Sequence, residues 1–347
     1  MPEPRAAVRR MAAYSPPSEG RQNALRLDFN ENTVGCSPAV VEFLKNTLTA
    51  GALSIYPEYS EAKRELAEFF GVAPNEILLT NGTDEAIQVL VNTFVDENAE
   101  VLLLRPSYAM YRFYAQLAGA ALQEIDFNTD LSFPLEALIE RIRPSTRAIL
   151  IANPNNPTGT GIDAPSIERI LRRAPDAAVL IDEAYFEFSG VTVLPLLSRY
   201  PNLFVSRTFS KVYGMAAMRC GCLFSQATNV EFLRKAQSPY SVNAVAALAA
   251  RAAIRDRAYV RDYVCEALAA REILYAGLRD LGIHAFPSQA NFVLFEAGDR
   301  AIAIRDELRR RGVLVRDRSY EIPGAVRVTI GTRAQTEKLL QELRAIW

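Results

Sequence analysis

Histidine and tryptophan each occur once in the 347 residues, and cysteine four times. The single histidine, His284, excludes a His-rich metal site and leaves a Ser-His-Asp triad only one candidate base. It lies in Gly282-Ile283-His284-Ala285-Phe286, a strand or turn, and reads as structural. An enzyme this poor in histidine must take its acid–base group from elsewhere, and a deprotonated lysine is the natural substitute. Cys36, Cys220, Cys222 and Cys265 form no CxxC pair, so no zinc site is expected, and free thiols suit a reducing compartment. An excess of one charge is also missing. The net charge of −1 argues against nucleic acid or an anionic membrane as the main partner. No apolar run approaches the length of a membrane span. The segment 1–20 lacks the apolar region of a signal peptide, so a cytoplasmic protein is expected.

What the chain does contain is a hydrophobic half, enough for a sizeable core in one large or two smaller domains. Residues 1–22 read as an extended arm, rich in Pro, Ser and Arg, with Tyr14 its only aromatic. Ser37-Pro38 opens a helix running to about Leu48, with a hydroxyl cap and proline in the first turn. A turn is expected at 55–58, and a helix from Ser60 to Phe70 that ends on Gly71.

From Ile77 the text alternates strand and helix. Strands are expected at 77–80, 101–104, 121–125, 148–152, 178–181, 203–205 and 220–224, with helices between the earlier ones. Continuous apolar strands separated by helices mean an α/β fold with a mostly parallel sheet covered on both faces. A long helical region, 242–281, then leads to strand 291–295, helix 301–311, strand 326–330 and a final helix 335–346. The expected division is an arm contributing to a small domain (1–48), a large domain (49–241) and a smaller α+β domain (242–347).

Ligands in open α/β sheets bind beyond the carboxyl ends of the strands. After 77–80 comes Asn81-Gly82-Thr83-Asp84, where glycine lets the backbone approach a ligand and the helix start faces an anion. After 148–152 comes Asn153-Pro154-Asn155-Asn156-Pro157-Thr158-Gly159, a poor helix and a poor strand, which reads as a rigid loop that aims amides. The adjoining Gly159-Thr160-Gly161-Ile162-Asp163-Ala164 matches GxGxxG/A only by spacing. It is far from the first βα unit and reads as a decoy. After 178–181 comes Asp182, a carboxylate at a buried strand end that needs a cation. Lys211, Arg219 or a protonated ring nitrogen of a bound cofactor are the candidates.

The segment 203–221 unites these features. A short apolar strand is followed by Ser206, Thr208 and Ser210, then Lys211 among small and apolar residues, then Arg219. Burial and a nearby arginine both disfavour the ammonium form, which frees the amine for Schiff-base chemistry with a carbonyl cofactor. Thr208, Ser210 and the fork of Arg219 can hold a phosphate beside it. The plainer alternative is a solvated loop lysine.

With these residues in place the chain resembles the fold-type I, class I/II aminotransferases that use pyridoxal phosphate, closest to the histidinol-phosphate branch. The match runs through Asn30-Glu31-Asn32, Tyr56-Pro57-Glu58, the Asn81 turn, Pro106-Ser107-Tyr108, the Asn153 loop, Asp182 to Phe188, Arg207 to Lys211 and Arg327 to Arg333. The resemblance implies a three-layer sandwich in which Lys211 bonds the cofactor and then shuttles a proton. Asp182 pairs with the ring nitrogen, Tyr185 and Asn156 serve the phenolic oxygen, and Tyr108 stacks on the ring. Gly82, Thr83, Asp84, Thr208, Ser210 and Arg219 surround the phosphate. Tyr56 reaches the neighbouring subunit's cofactor, so a homodimer is implied. Arg327 binds the substrate's acidic group, with Arg316, Asn32 and Tyr14 beside it. The implied reaction moves an amino group from a small-molecule donor, histidinol phosphate, to 2-oxoglutarate. An aromatic amino-acid aminotransferase and a threonine-phosphate decarboxylase share these cofactor residues and stand as alternatives.

Overall fold

The computed structural model describes residues 2–13 and 20–347. Tyr14 lies outside the described residues. The twelve strands are β1 (Leu25–Arg26), β2 (Ile77–Thr80), β3 (Glu100–Arg105), β4 (Ala121–Asp126), β5 (Thr146–Ala152), β6 (Ala178–Asp182), β7 (Leu203–Thr208), β8 (Gly221–Phe224), β9 (Phe292–Glu296), β10 (Val313–Leu314), β11 (Arg316–Asp317) and β12 (Ala325–Thr329).

Seven of them form the central sheet, in the order β2-β8-β7-β6-β5-β3-β4. Only β8 runs antiparallel to its neighbours. This is the α/β fold with a mostly parallel central sheet that the alternating pattern predicts. Side chains alternate across the pleat. Leu78, Leu150, Leu180, Phe204 and Leu223 pack into one core, while Leu79, Ile151, Ile181, Val205 and Cys222 pack into the other. The same parity puts Asp182 and Thr208 on one face and Glu183 and Arg207 on the opposite one.

A second, three-stranded sheet, β11-β12-β9, is antiparallel throughout. β1 pairs in parallel with β10, which ties the N-terminal segment to the C-terminal part of the chain. The helix at Pro38–Thr47 is capped by Ser37 as expected, and that at Ser60–Phe70 ends on left-handed Gly71.

Several expectations need correction. The arm is not wholly extended: Ala6–Arg9 is a short helix that packs on the helix Ala109–Ala118. A further short helix, Ala50–Ser54, precedes the turn at Tyr56 because Thr49 caps it. Ala227–Ala236 is a helix that the pattern missed. The region 242–281 is two helices, Ala244–Arg255 and Arg257–Asp280. They break at Asp256, whose carboxylate accepts from the Tyr259 N–H at 3.1 Å and restarts the helix.

Strand β7 runs to Thr208 and not only to Val205. In its buried polar end Arg207 and Thr208 find partners, while the Ser206 hydroxyl has none. Arg207 is paired with Glu183 at 2.6 Å, with side chains 4% and 0% exposed, and its guanidinium lies 3.5 Å from the Phe186 ring centroid.

Candidate active site

A cavity of about 580 Å³ opens at the carboxyl ends of β5, β6 and β7, between the central sheet and the sheet β11-β12-β9. Its wall includes Thr83, Asp84, Tyr108, Asn156, Asp182, Tyr185, Thr208, Ser210, Lys211, Arg219, Arg316 and Arg327. These motifs are scattered over more than two hundred residues, and the parallel strands bring them to one edge.

At the end of β7 the Lys211 amine donates to the Phe29 carbonyl at 3.0 Å. Burial lowers its pKa to about 8, and the Arg327 guanidinium adds to that. The arginine with the larger effect is therefore Arg327, from the far end of the chain, and not the sequence neighbour Arg219. The segment 29–35 acts as a latch on this loop. Its close approach requires Gly214, whose φ is +67° and where a Cβ would lie 2.2 Å from the Gly35 carbonyl oxygen.

Beside Lys211, the Arg219 guanidinium spans two elements. It donates to Ser210 Oγ at 3.3 Å and to Asp84 Oδ2 at 3.0 Å. Gly82, at φ +72°, starts the 13-residue helix Gly82–Phe94, and a Cβ there would meet Arg219 at 2.6 Å. Thr208 Oγ1 accepts from the Ser210 N–H at 3.0 Å. A helix start, two hydroxyls and a guanidinium thus surround one hollow, which is the donor set a phosphate needs.

Asp182, at the end of β6, is 3% exposed. Neither Lys211 nor Arg219 pairs with it. Its Oδ2 accepts from the Tyr111 hydroxyl at 2.9 Å. Its Oδ1 is buried and has no partner among the described residues. Burial raises its pKa to about 6, against the Ser206 and then the Tyr111 hydroxyl, which lower it. The structural ion pair belongs to its neighbour, Glu183, on the other face of the sheet.

The asparagine loop divides its labour. Asn153 pairs with both backbone groups of Ile162, at 2.9 and 3.0 Å. Asn155 holds Ser107, Pro106 and Thr158. Both are spent on rigidity. Asn156 Oδ1 accepts from Arg327, and its Nδ2 is left for the cavity. The adjoining Gly159 and Gly161 face Ser288 and Gln289, so their bareness serves packing.

Asn32 does not line the cavity. Its Nδ2 donates to the Val212 carbonyl at 2.9 Å, and its Oδ1 accepts from the Val34 and Gly35 N–H groups. This corrects the expectation that it binds substrate. Asn30 lines the cavity in its stead, donating from Nδ2 to the Tyr185 hydroxyl at 2.9 Å. Tyr108 donates to Asp84 Oδ1 at 2.7 Å. Tyr56 is 75% exposed and stacks on Tyr240 with centroids 4.4 Å apart, outside the cavity of its own chain. His284 is exposed, against Phe286 and away from the cavity.

Sequence reasoning overlooked Arg318, Tyr320 and Tyr111, which also line the cavity. Arg318 is paired with Glu321 and donates to the Tyr320 hydroxyl at 2.9 Å. Tyr111 follows Tyr108 by one helical turn, a spacing that places both on one face. That was the available signal.

Pyridoxal phosphate, an aldehyde with a basic ring nitrogen and a phosphate, fits these residues at three points. The hollow suits the phosphate, the unpartnered Asp182 Oδ1 suits a protonated ring nitrogen, and the Lys211 amine suits the aldehyde. Fold and site together define a pyridoxal-phosphate enzyme that transfers amino groups. The chain belongs to the aminotransferase class I and II family, whose model matches residues 22–343.

The relatives agree. The chain is 35% identical over 332 residues to a histidinol-phosphate aminotransferase of Geobacillus sp. (strain WCH70), covering 93% of this chain and 90% of that one. It is 35% identical over 355 residues to the histidinol-phosphate aminotransferase of Symbiobacterium thermophilum, covering 98% of each. In fold it matches the histidinol-phosphate aminotransferase of Sinorhizobium meliloti solved in complex with pyridoxal-5'-phosphate. The TM-score is 0.90 at 24% identity, over 99% of this chain and 98% of that one. No helix among the described residues is long and apolar enough to cross a membrane.

Proposed function

We propose that the chain transfers the amino group of histidinol phosphate to 2-oxoglutarate, a step of histidine biosynthesis, in the cytoplasm. One observation carries the donor. Arg316 and Arg327 are direct cross-strand partners in β11 and β12. Like charges directly opposite each other repel. Arg327 is held by Asn156 and the Asp28 carbonyl, both neutral. Among the described residues Arg316 has no carboxylate partner. Asp317, its sequence neighbour, instead accepts from Ser319. Burial, then the Arg318 charge, lowers the Arg327 pKa. Two guanidinium groups at one wall, neither in an ion pair among the described residues, suit a phosphate dianion better than a single carboxylate. The names of the relatives support the same donor.

Pyridoxal phosphate, when bound, supplies an aldehyde that accepts the amino group and a ring that withdraws electrons from the bond being broken. The chain's residues do the rest. Arg219, Ser210, Thr208, Gly82 and Thr83 bind the phosphate, with Asp84 orienting Arg219. Asp182 Oδ1 holds a proton on the ring nitrogen. Asn156 and Tyr185 serve the phenolic oxygen. Tyr108 covers the ring and keeps water away. Lys211 Nζ, with its depressed pKa, is neutral often enough to take a proton from the substrate carbon and return it elsewhere.

Arg316→Ala should raise KM for histidinol phosphate far more than for phenylalanine or tyrosine, by an amount equivalent to about 1.5–3 kcal/mol for a charged hydrogen bond. Arg327→Ala should damage all donors. Steady-state kinetics with each donor and 2-oxoglutarate, following glutamate, decides the matter. Equal damage to phosphorylated and aromatic donors in Arg316→Ala would transfer the assignment to an aromatic aminotransferase.

The active unit is read as a homodimer. The exposed Tyr56–Tyr240 stack supports this, because a large bare aromatic pair is suited to an interface. Tyr56→Phe should weaken cofactor retention by about 1 kcal/mol, one hydrogen bond. Mixing it with inactive Lys211→Ala chains should change activity through hybrid sites. A fully active monomer in sedimentation would contradict the shared site. The seven-stranded sheet within 77–224 and the three-stranded sheet within 292–329 support the division into a large domain (49–241) and a small domain (242–347) joined by 1–48.

A further inference from the structure

We propose that Tyr111 is a positioning residue for the cofactor's ring nitrogen, acting through Asp182. Its hydroxyl pins one carboxylate oxygen so that the other faces the cavity. The inference rests on the placement of pyridoxal phosphate in this cavity.

Tyr111 is 1% exposed, on the helix Ala109–Ala118 that covers one face of the central sheet. Its ring meets Tyr108 edge-on, with centroids 5.6 Å apart. Two tyrosines one helical turn apart therefore do different work. Tyr108 sends its hydroxyl to Asp84, on the phosphate side, and Tyr111 sends its hydroxyl to Asp182 Oδ2. Ser206, opposite Asp182 on β7, also favours the ionised carboxylate, but its hydroxyl makes no hydrogen bond within the usual geometry, and Oδ1 stays bare.

A carboxylate with two equivalent oxygens can turn about its last bond. A buried donor on one oxygen removes that freedom and presents a single lone-pair direction to the cavity. The phenol also favours the ionised carboxylate, because a hydrogen bond to the charged form stabilises it. That counters the burial that pushes Asp182 upward, and the nearby Asp84 charge, which pushes the same way. The other titratable groups around it are Tyr108 and Tyr185, on the elements that pack against it. Burial, then the Asp182 charge, raises the pKa of Tyr111 far above its ordinary value, so it remains a donor at any working pH.

The test compares two cofactors on one variant. Wild type must first bind pyridoxal phosphate stoichiometrically; failure there would overturn the placement of the cofactor and not the role of Tyr111. Tyr111→Phe, which deletes one oxygen, should then bind pyridoxal phosphate about 10-fold more weakly, the loss expected for a hydrogen bond to a charged group. An analogue with carbon in place of the ring nitrogen should bind wild type and Tyr111→Phe within about twofold of each other, since it offers Asp182 no proton to hold. Equal weakening of both cofactors would make Tyr111 merely structural and overturn the proposal, as would weakening of neither.

The Asp182→Ala background supplies an independent arm. There Tyr111→Phe should cost no further affinity or thermal stability, because its partner is gone. Full additivity in that cycle would also overturn the proposal. In the loaded Tyr111→Phe enzyme the pH at which the cofactor's absorbance band changes should move, while that of Tyr108→Phe, which lacks the link to Asp182, should not move in the same way.

Discussion

Lys211→Ala is expected to abolish turnover while leaving a protein that still binds pyridoxal phosphate. General acid–base work alone is worth about 10²–10⁴-fold, and covalent activation adds to it. The hollow between Arg219, Ser210, Thr208 and Gly82, proposed for the phosphate, does not include the lysine, so the cofactor should be retained. Borohydride should lock the cofactor covalently onto Lys211 in wild type, and peptide mass spectrometry should find it there. A label on another lysine would sink the assignment.

The same residue sets a pH dependence. Burial holds the amine near a pKa of about 8 in place of 10.5. In the unloaded protein the condensation of Lys211 with an aldehyde should therefore accelerate with pH and level off above about 8. A midpoint near the ordinary lysine value would show a solvated amine. Between about 8 and 10.5 the unfolded chain binds the proton that the folded chain has released, so this group makes unfolding harder as pH rises through that window. Below it, the buried ammonium costs stability in full.

Asp182→Asn should cut kcat by about 10²–10³-fold, the usual scale for deleting one electrostatic partner of the reacting group. The amide still accepts from Tyr111, so the fold should survive. It cannot, however, hold a proton on the ring nitrogen. Near-normal turnover would show that Asp182 is only structural. Stability should move the other way. The folded pKa of about 6 lies above the ordinary 3.8 of an aspartate, so the carboxylate progressively destabilises the unloaded protein as pH rises from 3.8 to about 6, and the full cost remains above that. Removing the charge should stabilise unloaded protein at neutral pH by up to roughly 3 kcal/mol, at about 1.4 kcal/mol per pH unit. An unloaded variant melting no higher than wild type would count against a buried carboxylate with no cation beside it. Chemistry and stability therefore oppose each other at one atom, as expected of a functional site.

These two residues were readable without a structure because each follows its own strand. Local periodicity marks where β6 and β7 run, and parallel strands deliver whatever follows them to one edge. Gly82, Thr208, Ser210 and Arg219 were readable for the same reason. The helix at Ser60–Phe70 announced both its ends, since caps are local chemistry. The break at Asp256 was hidden inside an alanine-rich run that is helical on either side.

The chain's own text thus determined the sheet and the strand ends at which Lys211, Asp182, Gly82, Thr208, Ser210 and Arg219 fall. Only the tertiary structure decided which partners complete them. Lys211 meets Phe29 across 182 residues, and Arg327 meets Asp28 across 299. Arg316 faces Arg327 because of the register of β11 on β12, which residue spacing does not encode. Asn30 rather than Asn32 reaches the cavity because Asn32 is consumed in bracing the lysine loop. Arg327 rather than Arg219 acts more strongly on Lys211 because charge acts through space and not along the chain.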